Sequence, residues 1–140
     1  MQIEIVPLQK CHLEEVIDIL QLISEFKPLK SEYDKIWECF ITNNDNYGVV
    51  ALDNFGKVIG YGSLLLNHKI RGGVMGHIED IAVHKDFHSN GIGKLIINAL
   101  YEIGKKNKCY KLSLSCKKEN FNFYRKCNYF ETGITVTNFL

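Results

Sequence analysis

The segment His88-Ser89-Asn90-Gly91-Ile92-Gly93-Lys94 carries the residue types best suited to gripping an anion. Glycines at 91 and 93 let a backbone turn tightly and approach a ligand closely. An apolar-periodic stretch follows at once, so the turn opens a helix whose first N–H groups lack intrahelical partners and face outward as an anion site. A pyrophosphate would be held there by main-chain donors, with the Lys94 ammonium near it. Basic residues also cluster from Lys105 to Lys126, a distribution that suits either a phosphate-rich ligand or a solvated face. A glycine turn of this kind serves as readily as a plain connector, so its surroundings must decide. It is not a dinucleotide fingerprint, because the third glycine is absent and the flanking pattern is one of hairpins.

The elements that position this turn are legible in the periodicities. Residues 2–7 alternate and are β-branched up to Pro7, the pattern of a first strand. Leu13, Val16, Ile17 and Leu20 recur at helical spacing over His12–Leu22. Pro28 breaks that run, and Ser31 caps a second helix reaching about Thr42. The Asn43–Asn46 cluster is a turn. Strands follow near Val49–Leu52 and Val58–Leu66, joined by a hairpin around Asp53–Gly56. Gly76–Val83 is an extended apolar stretch carrying Glu79 and Asp80 side by side. The helix after the glycine turn runs from about Gly91 to Lys106 with Leu95, Ile96, Ala99, Leu100 and Ile103 on one stripe. Lys111–Ser115 reads as a strand, Asn120–Lys126 as a short helix and Glu131–Phe139 as a final strand. This order predicts an α/β (α+β) domain over 1–140, a mixed sheet with helices on both faces.

Composition narrows the functional classes. With 140 residues, 46% hydrophobic and 24% charged, the chain suits one globular domain with a core of its own. The formal net charge of +1 argues against nucleic acid, as does the lack of a coherent basic groove. Five cysteines, an odd number with no CxxC pair, argue against a disulfide framework or a zinc site and are read as small buried side chains in a reducing compartment. The start of the sequence lacks a signal-peptide layout, and no apolar run reaches the ~20 residues of a membrane span. A cytoplasmic protein, free of metal and membrane, is the expectation.

Gly76-His77-Ile78-Glu79-Asp80-Ile81-Ala82-Val83 followed by Gly91-Ile92-Gly93-Lys94 is much more specific than the glycines alone. Together with the element order along the chain, it resembles the GCN5-related N-acetyltransferase superfamily, whose coenzyme A motif is Arg/Gln-x-x-Gly-x-Gly/Ala after a strand. His88 stands here at the Arg/Gln position. Within the superfamily, Leu65–Ile70, Cys109-Tyr110-Lys111 and Asn120 through Phe123-Tyr124-Arg125-Lys126-Cys127 are similar to the branch that acetylates glucosamine 6-phosphate on the way to UDP-N-acetylglucosamine.

The resemblance implies a mostly antiparallel sheet whose fourth and fifth strands splay apart, with the acetyl-CoA thioester in the V between Ile78–Val83 and Lys111–Ser115. It implies cofactor contacts at Ile81, Ala82, Val83, His88, Ser89, Asn90, Gly91, Ile92, Gly93, Lys94, Asn120, Tyr124, Arg125 and Lys126. A deprotonated amine attacks the thioester directly. Glu79 and Asp80 are candidate proton acceptors, although strand alternation lets only one of them face the amine unless a bulge intervenes. Tyr124 corresponds to the tyrosine that protonates the departing thiolate, while Phe123 is read as core. Acceptor contacts fall on His68, Lys69, Ile70, Arg71, Ile78, Glu79, Asp80, Tyr110 and Lys111.

Three positions depart from that branch. Ser115 replaces an acidic residue, Ile23 a polar one, and Phe139-Leu140 stand where a basic residue would meet the sugar phosphate. They leave room for another small amine as acceptor, or for an idle coenzyme A-binding module. The resemblance also implies a homodimer, and the β-branched run Gly133–Phe139 suits pairing across its interface.

Overall fold

The computed structural model describes residues 1–24 and 26–140. The strands are β1 (Glu4–Pro7), β2 (Asn46–Leu52), β3 (Val58–His68), β4 (Val74–Val83) and β5 (Cys109–Ser113). The helices are α1 (Leu13–Leu20), α2 (Tyr33–Ile41), α3 (Ile92–Lys106) and α4 (Phe121–Lys126). The five strands lie side by side in the order β1-β2-β3-β4-β5, antiparallel until β4 and β5 run parallel. A parallel step requires a crossover, and α3 supplies it.

Helices cover both faces. On one, α3 buries Ile92, Ile96, Ile97 and Leu100 against Val49, Ala51, Ile59, Leu64, Leu66 and Ile78. On the other, Val16 and Ile19 of α1 pack on Val50, Val58, Tyr61 and Ala82. Glycines on β3 set how closely α3 approaches: a Cβ at Gly62 would stand 2.6 Å from both Ile96 and Ile81 side chains. Burial of each large side chain such as Ile96 contributes about 1.5–3 kcal/mol. The helix that begins at the glycine turn is thereby fixed to the sheet along its length.

Three expectations are corrected. No strand forms over Glu131–Phe139 in the single chain, where every side chain is exposed. β-Branched residues favour a strand only where an edge accepts them, and this segment meets none. The cysteines are not uniformly buried: Cys11, Cys39 and Cys116 are exposed, Cys109 and Cys127 partly so. Cys11 lies in the short 3-10 turn Lys10–His12 before α1, and none of the α2 residues, Cys39 included, is buried. Lastly, β5 is offset from Lys111–Ser115 to Cys109–Ser113.

Candidate active site

The V between β4 and β5 has a local cause. Pairing runs from Val74↔Cys109 to His77↔Ser113 and stops, while β4 continues to Val83. Opposite β3, Ser63 pairs with Glu79 and Tyr61 with Ala82, so β4 carries one residue too many. Asp80 is that point, with φ of 55°. A bulge bends and twists its strand, which turns the second half of β4 away from β5. It also lifts the alternation constraint, and Glu79 and Asp80 are both exposed. Ser63 braces the bulge by donating its hydroxyl to the Glu79 carbonyl at 3.1 Å. Beneath it, the buried Tyr61 phenol is pushed up to about 12, by burial first and by the Asp80 charge to a lesser degree.

A cleft of about 640 Å³ opens where β4 turns away. Ile81, Ala82 and Val83 form one side, His88, Ser89, Gly91, Ile92 and Gly93 another, and Asn120 and Tyr124 close it. Gly91 is the N-cap of α3 at φ 75°, the left-handed region glycine tolerates best, and no side chain caps the helix. The first-turn N–H groups therefore point at whatever fills the cleft. His88 Nε2 lies 2.9 Å from the Val83 carbonyl and, facing an acceptor, must donate to it, which pins the turn to the end of β4.

Several walls were not among the cofactor contacts expected from sequence. Leu22 and Ile23 from the end of α1, Phe87 before the turn, and Phe123 all line the cleft. Phe123 is 37% exposed and is not core. It lies against the first turn of α3, where a Cβ on Gly93 would be 3.0 Å from its ring. Asn90, Lys94, Arg125 and Lys126 are exposed and do not line the cleft; the Arg125 guanidinium lies 6.0 Å over the Phe121 ring.

Tyr124 stands at the meeting of two spaces. Among the described residues it alone lines both the cleft and a second cavity of about 900 Å³, walled by α3, β5 and the segment after α4. Its ring is held edge-on between Phe123 at 5.0 Å and Tyr129 at 6.4 Å. Its carbonyl accepts the N–H groups of Cys127 and Tyr129, both at 3.0 Å. Burial, then the neighbouring Cys116 and Cys127 sulfurs, raises its phenol above the ordinary value, which keeps it protonated at neutral pH.

The expected acceptor residues fall into separate groups. His68 Nε2 is 3.0 Å from the Asp45 carboxylate. Arg71 donates to the Tyr110 hydroxyl at 3.3 Å, and the Lys111 ammonium sits 5.7 Å over the Tyr110 ring. The Tyr110 phenol is lowered by that hydrogen bond and by the charges of Arg71, Lys111 and Lys69. Ile70 is fully exposed, whereas the Ile78 side chain is buried under α3, leaving only its backbone for the site. Lys111 of the basic group pairs with Met75, and Glu79 lies four residues further along β4, roughly 13 Å at ~3.3 Å per residue.

A bulge-splayed strand, an uncapped glycine-led helix and a half-buried tyrosine between them define a class. The sequence profile of the acetyltransferase (GNAT) family matches residues 13–129, and the chain belongs to that family. Among its relatives, it is 35% identical to glucosamine 6-phosphate N-acetyltransferase 1 of Dictyostelium discoideum over 88% of this chain and 81% of that one. It is 38% identical to the glucosamine 6-phosphate N-acetyltransferase of Schizosaccharomyces pombe over 69% of this chain and 90% of the relative. The crystal structure of glucosamine-6-phosphate N-acetyltransferase from Arabidopsis thaliana superposes with a TM-score of 0.92 at 26% identity, covering 99% of both chains.

Proposed function

We propose that this protein, as one catalytic unit over 1–140, moves the acetyl group of acetyl-CoA to the amine of glucosamine 6-phosphate, a step toward UDP-N-acetylglucosamine. The observation that carries the reading is the placement of Tyr124 in the wall of the cleft between the bent half of β4 and the free N-terminus of α3. Free helix N–H groups suit a pyrophosphate. The apolar walls suit the pantetheine arm, and the cleft's volume is in the range of small-molecule sites.

The mechanism follows from those groups. Along Ile78–Val83 the β4 edge that would face β5 carries no partner strand, so its N–H groups are placed to polarise the thioester carbonyl. The neutral amine attacks that carbon. Glu79 or Asp80, exposed at the bulge, accepts a proton on the acceptor side, directly or through water. The Tyr124 O–H gives its proton to the departing thiolate, a role worth about 10²–10⁴ in rate.

The basic group of Lys69, Arg71 and Lys111 supplies the charge a sugar phosphate needs. The expected homodimer draws support from the exposed apolar side chains of Ile134, Val136 and Phe139, which offer surface for that pairing. No described helix is long and apolar enough to cross a membrane, and a cytoplasmic location fits the substrate. A second reading, acetylation of another small amine, draws on Ser115, whose hydroxyl is engaged by Thr135 at 2.7 Å, and on the apolar Ile23 in the cleft wall.

Free-thiol release from acetyl-CoA, measured with glucosamine 6-phosphate and with unphosphorylated glucosamine, separates the two. Turnover confined to the phosphorylated sugar is expected. Equal rates on both, or none, transfer the assignment to other amines.

A further inference from the structure

Ser63, on the middle strand β3, is the one buried polar side chain among the described residues, 8% exposed. A buried hydroxyl needs a partner. This one takes the Glu79 carbonyl across the sheet at 3.1 Å, at the point where the β3–β4 ladder breaks. Ser63 pairs with Glu79 and Tyr61 with Ala82, so Asp80 and Ile81 together face the single residue Gly62.

The faces of the sheet show what the extra residue does. On β3, Tyr61 belongs to the α1 side, and Ser63, two residues on, shares it. Gly62 opens to the α3 side, where a Cβ would meet Ile81, Ile96 and Leu100. On β4, Ile78 packs on the α3 side, and Glu79, opposite Ser63, takes the α1 side. Ile81 returns to the α3 side and Ala82 to the α1 side. Asp80 is therefore the residue inserted into the alternation. Its φ of 55° is one that a non-glycine residue keeps only when its surroundings hold it.

The apolar pattern forbids a straight strand here, because regular alternation would turn the Asp80 side chain onto α3. It does not choose the orientation of the peptide between Glu79 and Asp80; the Ser63 hydroxyl does. The C=O and N–H of a trans peptide point opposite ways. With the Glu79 carbonyl held toward Ser63, the Asp80 N–H is turned away from β3, toward the open side of the V. The Tyr61 phenol, raised first by burial, responds to both the Ser63 hydroxyl and the Asp80 charge, so the three groups lie together under the bulge.

Resting on the acetyltransferase reading above, we propose that Ser63 is a positioning residue for acetyl transfer. By holding the Glu79 carbonyl, its hydroxyl locks the bulge in the conformation that aims Glu79 and Asp80 at the acceptor and leaves the β4 edge free for the thioester. Ser63 itself touches no reactant. Its loss should slow transfer while acetyl-CoA, gripped at the start of α3, stays bound.

Ser63→Ala removes the hydroxyl with little change of volume, and two readouts should then move together. In the free protein the strong amide–Hα NOE of Asp80, the mark of its positive φ, should weaken. With glucosamine 6-phosphate as acceptor, kcat should fall roughly tenfold or more, the scale on which misplaced reacting groups act. Acetyl-CoA affinity, read by calorimetry, should stay within about twofold because the helix N-terminus is untouched. Ser63→Thr keeps a hydroxyl on the same Cβ and should restore both readouts. Val58→Ala cuts the same α1-side core at the start of β3, away from the bulge, and should lower the denaturant midpoint without changing kcat. An unchanged kcat in Ser63→Ala, a fall in kcat with the NOE intact, or affinity lost in step with kcat would overturn the proposal. So would a Ser63→Thr enzyme no faster than Ser63→Ala, or an equal fall in kcat in Val58→Ala. A parent enzyme that does not turn over glucosamine 6-phosphate fails the acceptor reading alone; the NOE, which needs no acceptor, then decides whether Ser63 holds the bulge.

Discussion

The cleft between β4 and α3 and the cavity beside β5 share Tyr124 as a wall, yet they are built in opposite ways. Each side of the cleft belongs to an element whose other face is locked into the core. Ile92 is fully buried at the start of α3, Ala82 packs on the α1 side, and Ile81 lies over Gly62. The cavity is walled on one side by the chain from Asn128 to Thr135, which has no regular structure. Side chains there are exposed from Phe130 onward, and Ser115–Thr135 is the one side-chain hydrogen bond recorded for that stretch among the described residues. The cleft thus has walls anchored in the core, while the cavity beside β5 is bounded by an irregular, exposed segment. Rigid walls suit a cosubstrate whose phosphates and sulfur must meet fixed groups.

This contrast can be broken or sharpened by substitution. The largest effect is expected at the shared wall: Tyr124→Phe should lower kcat by about 10²-fold or more with acetyl-CoA affinity nearly unchanged, read by thiol release and calorimetry. A glycine pair tests the cleft next. Gly91→Val and Gly56→Val both force a β-branched residue into φ near 75° and should cost comparable stability, of order 1–2 kcal/mol. Only Gly91→Val should also weaken acetyl-CoA binding, by about tenfold, because Gly56 sits in the distant β2–β3 hairpin. If the two variants bind acetyl-CoA equally, the helix N-terminus is not the phosphate site.

The buried phenols give a smaller, pH-dependent effect. Tyr61 and Tyr129 are each raised to about 12 in the folded chain. The unfolded chain releases those protons near the ordinary value of about 10, so the stability they contribute is complete below that pH and is lost between about 10 and about 12. Denaturant midpoints should fall across this window, and Tyr61→Phe should flatten the fall. Smallest of all is Tyr129→Phe, which removes a buried hydroxyl that has no hydrogen-bond partner among the described residues. Its stability should be equal to the parent's or higher by about 1 kcal/mol, since an unsatisfied group is removed and no bond is lost. A loss of more than that would show that the hydroxyl has a partner, and that the side of Tyr124 next to β5 is better built than described.

How much was legible in the sequence follows the same divide. The glycine turn, the apolar stripe of α3 and the paired carboxylates could be read because their signals are local: φ permissiveness, a 3.6-residue period, charge in an apolar strand. The Asp80 bulge was foreseeable only as a condition, since register is a property of two strands and neither alone reveals the extra residue. Phe123 looked like core because an aromatic on a short helix gives no hint of which neighbour it meets; the close approach over Gly93 turns it into a cleft wall. Leu22, Ile23 and Phe87 join the cleft from beyond the ends of their elements, where periodicity carries no information. The final strand failed for the reverse reason, a strong local preference with no edge in the chain to receive it.

The central claim is that acetyl-CoA binds in the cleft at the start of α3. Titrating ¹⁵N-labelled protein with acetyl-CoA and following amide shifts would map it residue by residue. The largest changes are expected at Ile81–Val83, across Ser89–Lys94 and at Asn120, with residues 131–135 changing little. Shifts concentrated along β5 and residues 131–135, with the first turn of α3 unmoved, would contradict it.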